Sequence, residues 1–150
     1  MPDTEIRPLH GSYLMPSLRR ATVADAMHPG ILSCGPDATL TEVAQMMATH
    51  HVHCVAVIGI SQEEGCAVWG IVSDLDLIRA SIGDGNDQSA SSIALQPVVT
   101  VDSSTPLRQA GELMLRHRVS HLVVVDPERE RPVGILSTLD LAGMIAWGEA

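Results

Sequence analysis

The chain contains no phenylalanine and no lysine. Tyrosine occurs once, at Tyr13, tryptophan twice, at Trp69 and Trp147, and cysteine three times, at Cys34, Cys54 and Cys66. With so few aromatics, the interior must be built from Val, Ile, Leu, Met and Ala, and 45% hydrophobic residues over 150 positions are enough for a packed core. All nine basic residues are arginines, and the formal net charge is −9. Such a chain suits neither a nucleic-acid backbone nor an anionic lipid surface, so no nucleic-acid and no membrane partner is expected. A small phosphate ligand stays open, because one Arg or one helix N-terminus can serve it. An odd number of cysteines without CxxC spacing argues against a disulfide framework or a zinc knuckle. No apolar run reaches the ~18 residues of a membrane helix, and Met1–Glu5 lacks the basic and apolar regions of a signal peptide. A cytoplasmic location is the expectation.

What the chain does have is a duplication. Gly70-Ile71-Val72-Ser73-Asp74-Leu75-Asp76-Leu77 returns as Gly134-Ile135-Leu136-Ser137-Thr138-Leu139-Asp140-Leu141, with six of eight positions identical at an offset of 64 residues. Upstream, Leu40, Met47, His50, Val52 and Val57 match Leu107, Met114, His117, Val119 and Val124 at an offset of 67. The three-residue difference falls within 59–67, where a turn can absorb it. Internal repeats imply similar half-structures that bury their apolar faces together, and two similar sites.

The pattern predicts the same elements twice. Residues 1–20 read as an N-terminal arm, 21–82 as the first repeat, 83–92 as a polar linker and 93–150 as the second repeat. Thr22-x-x-Asp25 has capping-box spacing for a short helix. Strand-forming runs at Ile31–Cys34, Val52–Ile60 and Cys66–Val72 are joined by a helix from Thr39 to about His50 and followed by a helix from Asp74 to Ser81. In the second half, strands are expected at Val98–Val101, His121–Asp126 and Val133–Ser137, with helices after Pro106 and from Thr138 to Trp147. Each half is strand–helix–strand–strand–helix, an α/β (α+β) plan of two β-α-β-β-α repeats related by a pseudo-twofold axis.

The repeated octapeptide runs from a buried strand into a helix start. Ser73 and Ser137 fall at the N-cap, with Asp76 and Asp140 three residues on. One reading is a plain capping box, which Thr22-x-x-Asp25 and Thr39-x-x-Glu42 also match without needing a ligand. The other is a ribonucleotide site. Free N–H groups and the positive dipole end attract phosphate, a Ser hydroxyl can donate to it, and an ionised Asp can accept both hydroxyls of a ribose diol. The glycine ahead of each strand end would allow close backbone approach.

Two such repeats, each closing in Gly-apolar-x-Ser-x-x-Asp, resemble a pair of CBS (cystathionine β-synthase) domains over about residues 21–148, and Thr22–Met27 resembles the family's entry segment. The resemblance implies a regulatory module binding AMP, ADP, ATP or S-adenosylmethionine in clefts between the repeats. It implies that Asp76 and Asp140 hold ribose and that Ser73 and Ser137 face phosphate. Ile31, Ser33, Val98 and Thr100, on the first strands, would contact the base. The absence of Lys favours a monophosphate such as AMP, or a ligand without phosphate, over ATP. The family also commonly pairs into discs of four repeats, so a homodimer is expected, with Trp147 covering a dimer surface. No catalytic or transport domain accompanies the repeats, so a stand-alone sensor would signal to another, unknown protein.

Other residues keep two readings. Arg79 is either an i,i+3 partner of Asp76 or a phosphate ligand of the first site; the second repeat has Gly143 there. Arg118 and His121 either reach a phosphate or end a helix and begin a strand. His50, His51, His53 and Cys54 suggest a metal nest, yet neighbouring strand residues point to opposite faces, so no metal is expected. Cys34 and Cys54 are inert buried thiols or a redox pair. No nucleophile–base pairing, P-loop or Rossmann glycine pattern is present, and no enzyme activity is expected. The alternatives to the sensor are a ligand-independent dimerisation module and a metal- or redox-responsive protein.

Overall fold

In the computed structural model, residues 16–61, 65–83, 88–94, 98–129 and 131–148 are described, without the side chains at 60–61 and 65–69. Tyr13, most of the predicted arm, the 62–64 turn, residues 84–87 and the Trp69 and Cys66 side chains lie outside that description.

The elements follow in the order α1 (Val23–Ala26), β1 (His28–Pro29), β2 (Ser33–Cys34), α2 (Leu40–His50), β3 (Cys54–Ser61), β4 (Gly65–Ser73), α3 (Asp74–Ile82), α4 (Ala90–Ile93), β5 (Thr100–Asp102), α5 (Leu107–His117), β6 (His121–Val125), β7 (Pro132–Ser137) and α6 (Thr138–Trp147). They form two compact units. One is Gly30–Val99. The other joins the residues up to Pro29 with those from Thr100 onward. The lead-in helix α1 and strand β1 therefore belong to the unit that carries the second octapeptide.

In the unit Gly30–Val99, β2 runs parallel to β3 and β3 antiparallel to β4. A crossover helix makes the parallel pair possible, as the spacing predicts. Leu40, Val43 and Met47 form the buried stripe of α2, and they pack with Val55, Val57 and Val72 of the sheet. Thr39 opens α2 with a complete capping box. Its side chain accepts from the Glu42 N–H at 3.1 Å, and its own N–H donates to Glu42 Oε2 at 3.2 Å. Helix α4 sits in the stretch read from composition as linker. Its residues lack an acidic capping partner, so tertiary burial holds it: Ala90 and Ile93 are buried in the core.

The other unit has the sheet order β1-β7-β6-β5. β5 is parallel to β6, while β7 is antiparallel to both β6 and β1. Leu122, Val123 and Val124 are all fully buried, so β6 reads as a continuous apolar run rather than an alternation. Leu107, Ala110 and Met114 give α5 its buried stripe.

The repeats correspond in detail. Isolated bridges join Thr39 to Ser89 in one unit and Thr22 to Pro106 in the other, which are equivalent positions at the 67-residue offset. Both hairpins shift register at the same place, after Val57 and after Val124. The three extra residues of the first repeat do not simply enlarge a turn. They lengthen the ladder, with β3 and β4 at 8 and 9 residues against 5 and 6 for β6 and β7. Both equivalent helices also end on a left-handed residue, His51 at φ 55° and Arg118 at φ 54°.

Candidate functional site

Each octapeptide places its Ser at the end of a sheet strand and its Asp in the first helical turn. Strand geometry brings the chain to the N-cap extended, with φ −94° at Ser73 and −116° at Ser137. The side chain can then fold back over the helix start. In the first turn, Asp76 Oδ2 accepts from the Ser73 N–H and Oγ–H, both at 2.9 Å, and Ser73 Oγ accepts from the Asp76 N–H at 3.2 Å. In the second, Asp140 Oδ2 accepts from the Ser137 N–H at 2.7 Å and Oγ–H at 3.0 Å, and Ser137 Oγ accepts from the Asp140 N–H at 3.3 Å. The capping box is thus fully made in both copies. It consumes the one hydroxyl proton of each Ser.

The two copies differ at Oδ1. Asp76 Oδ1 accepts from Arg79 Nη1 at 3.0 Å, an i,i+3 pair in which the Asp side chain is 0% exposed and the Arg side chain 55%. Asp140 Oδ1 lies 2.9 Å from His28 Nδ1, with side-chain exposures of 6% for Asp140 and 78% for His28. A carboxylate only accepts, so this imidazole nitrogen carries the proton. Gly143 stands where Arg79 would be in the second repeat, and His28 comes instead from the lead-in strand. No sequence signal marked His28. It became visible only once β1 was seen paired to β7, with His28 opposite Ile135.

The glycines that open the motif make room for another segment of the chain. A Cβ on Gly134 would collide with the His28 carbonyl, and one on Gly70 would stand 2.9 Å from the Ala94 Cβ. In each unit a lead-in segment crosses the strand at its glycine.

The remaining predicted residues are only partly brought to the turns. His121 faces Ser137 across the β6–β7 ladder, and Ser120 Oγ lies 2.9 Å from its Nδ1. Arg118 is the exposed left-handed C-cap of α5, and its N–H donates to the Met114 carbonyl. Ser33 pairs with Ala56 and Thr100 with Val123. Ile31 and Val98 lie just outside the strands and are half-buried.

The histidine-rich stretch does not converge. His50 ends α2, His51 is its left-handed cap, and exposed His53 contacts Asp74 Oδ2 at 3.0 Å. Among the described residues, no group of three or more His, Cys, Asp or Glu is placed to hold an ion. Cys34 pairs with Val57, three residues along β3 from Cys54 and so ~10 Å from the position beside it. Burial, and then the nearby Glu42 carboxylate, push the Cys34 thiol pKa above its ordinary value, which disfavours the reactive thiolate. Among the described residues, no helix is long and apolar enough to cross a membrane.

Comparison with known proteins agrees with this architecture. The chain is 27% identical over 124 residues to the CBS domain-containing protein YhcV of Bacillus subtilis, covering 81% of this chain and 84% of YhcV. It also matches the homoserine O-acetyltransferase of Methanocorpusculum labreanum, at 27% identity, but spans only 26% of that enzyme's length. Among solved structures, the CBS domain protein PAE2072 from Pyrobaculum aerophilum, complexed with AMP, is 26% identical with a TM-score of 0.70, over 84% of this chain and 98% of that one. Hypoxic Response Protein I, solved with two coordinated zinc ions, is 25% identical with a TM-score of 0.64, over 82% of this chain and 98% of that one. The CBS domain model itself matches twice, at residues 23–83 and 90–146, and the chain belongs to the CBS domain family.

Proposed function

We propose that this protein is a regulatory CBS module that binds an adenosine-containing ligand, AMP before ADP, ATP or S-adenosylmethionine, and transmits its occupancy to a partner protein. The observation that carries the reading is the pair of Ser-x-x-Asp turns, each with an enclosed carboxylate at a helix N-terminus. The AMP complex of PAE2072, similar over most of both chains, supports adenosine as the ligand class. Binding is then an exchange of hydrogen bonds. Ribose hydroxyls donate to Asp140 or Asp76, and the Ser137 or Ser73 hydroxyl, released from its carboxylate, turns its proton toward phosphate. A single phosphate suits a chain with nine Arg, no Lys and a net charge of −9.

A thermal-shift titration against AMP, ADP, ATP and S-adenosylmethionine tests this. A ligand at a hundredfold its dissociation constant stabilises by about 2.7 kcal/mol. A saturable shift with AMP, reduced in Asp76→Asn or Asp140→Asn, is the expected result. No shift with any of the four overturns the reading.

A second reading, a ligand-independent dimerisation module, is favoured by the apolar side chains left outside. Leu75, Ile78 and Ile82 on α3 and Leu139, Ile145 and Trp147 on α6 are each more than half exposed. The α2–α3 groove is also apolar, about 470 Å³ and lined by Leu40, Ala44, Ala48, Leu77 and Ile78. A dimer in sedimentation that ignores all four ligands would establish that reading instead.

A further inference from the structure

We propose that His28 regulates the second turn as an internal competitor for its ligand, while Arg79 keeps the first turn closed. The inference rests on the adenosine reading and assigns it to one of the two turns. The two aspartates are identically capped through Oδ2, so Oδ1 decides what each can accept. Asp76 Oδ1 is held by a guanidinium from its own helix, one turn away. That partner is permanently charged, and the carboxylate it covers is wholly enclosed. Taking Arg79 away without an equal replacement would leave a buried charge unpaired, which strongly opposes exchange. Asp140 Oδ1 is held by one imidazole nitrogen. His28 is largely exposed, sits on a two-residue strand, and makes this contact from a separate segment. An imidazole so placed can rotate into solvent and yield Oδ1 to a ribose hydroxyl, while the Ser137 N–H keeps its bond to Oδ2.

The sequence shows that the difference is reciprocal. At the 67-residue offset, His28 corresponds to Leu95, which has no donor, and at the 64-residue offset Arg79 corresponds to Gly143. Each aspartate therefore gains one basic partner, from the helix in the first repeat and from the lead-in strand in the second. His121, across the ladder from Ser137, adds a further polar group beside the second turn; the first has Cys54 at the matching register position, opposite Ser73.

Isothermal titration of the full chain with AMP tests the assignment, using two substitutions the fold should accept. His28 is exposed, and a Cβ at Gly143 meets nothing within 4 Å. The expected results are one AMP per chain for the unaltered protein, about fivefold tighter binding in His28→Ala, the factor set by one competing hydrogen bond, and at least tenfold weaker binding in Gly143→Arg, which gives Asp140 the partner Asp76 has. Two equivalent sites, unchanged or weaker binding in His28→Ala, or unchanged or tighter binding in Gly143→Arg would each overturn this inference and leave the adenosine reading standing. No AMP binding by either the unaltered chain or His28→Ala would overturn this inference, with the wider adenosine reading then decided by ADP, ATP and S-adenosylmethionine.

Discussion

The two Ser-x-x-Asp turns share every capping hydrogen bond and part at a single oxygen. Around Asp76 the chain is closed by its own helix: Arg79 arrives by periodicity, and nothing distant is needed. Around Asp140 the helix offers only Gly143, and a residue more than a hundred positions earlier supplies the contact. A local partner is fixed whenever the helix forms. A distant one depends on β1 staying paired to β7. Duplication thus preserved the scaffold of the turn, which capping requires, and let the group that governs access to the carboxylate diverge.

The largest effect should come from removing the enclosed carboxylate. Asp76→Ala strips two hydrogen bonds from Ser73, itself only 3% exposed. It leaves donors without water to replace the lost acceptor, at a cost of about 3 kcal/mol. Asp140→Ala removes the equivalent bonds where Ser137 is only part-buried, and should cost about 2 kcal/mol. For a chain of this length each kcal/mol lowers Tm by roughly 2–4 °C, so calorimetry resolves the difference. Equal losses would mean that the two turns are energetically alike despite their different surroundings.

The motif glycines sharpen the comparison. At Gly134 a methyl group meets the His28 backbone carbonyl, which cannot step aside without unpairing β1 from β7. Gly134→Ala should cost about 2–3 kcal/mol. At Gly70 the obstacle is the Ala94 methyl. Gly70→Ala should cost about 1–2 kcal/mol, and Ala94→Gly in the same chain should restore most of it. A double-mutant cycle in urea measures that coupling. Additive losses at Gly70 and Ala94 would mean the lead-in segment is not seated on that glycine in solution.

These contrasts also mark what could be read from the residues in order. The repeat, the crossover helices and the Ser-x-x-Asp capping were legible because each depends on spacing along one element: Leu40, Val43 and Met47 trace a helical face, and Ser73 to Asp76 spans one turn. Helix α4 was not, since Ala90 and Ile93 become helical through burial, and its N-cap Ser89 makes no side-chain capping bond and has no acidic partner in the first turn. Nor was the His28 contact, which needs a strand of two residues to pair across most of the chain. The Cys34–Cys54 proximity failed for the same reason. Both strands were anticipated, but their relative register comes from the sheet, and it sets Cys34 beside Val57.

The smallest effect concerns a place where the two repeats carry the same strain. His51 and Arg118 end equivalent helices in the left-handed region, φ 55° and 54°, and both are exposed. A Cβ there crowds the following carbonyl, whereas glycine adopts the conformation freely. Neither side chain is needed for the cap itself, because the bonds that close it are the backbone N–H groups of His51 and Arg118 to the Met47 and Met114 carbonyls. His51→Gly and Arg118→Gly should therefore each stabilise by about 0.5–1 kcal/mol, after the entropy glycine adds to the unfolded chain is deducted. Equal gains are expected if strain alone is relieved. A gain at His51 with a loss at Arg118 would show that the Arg118 side chain makes a stabilising contact its counterpart lacks.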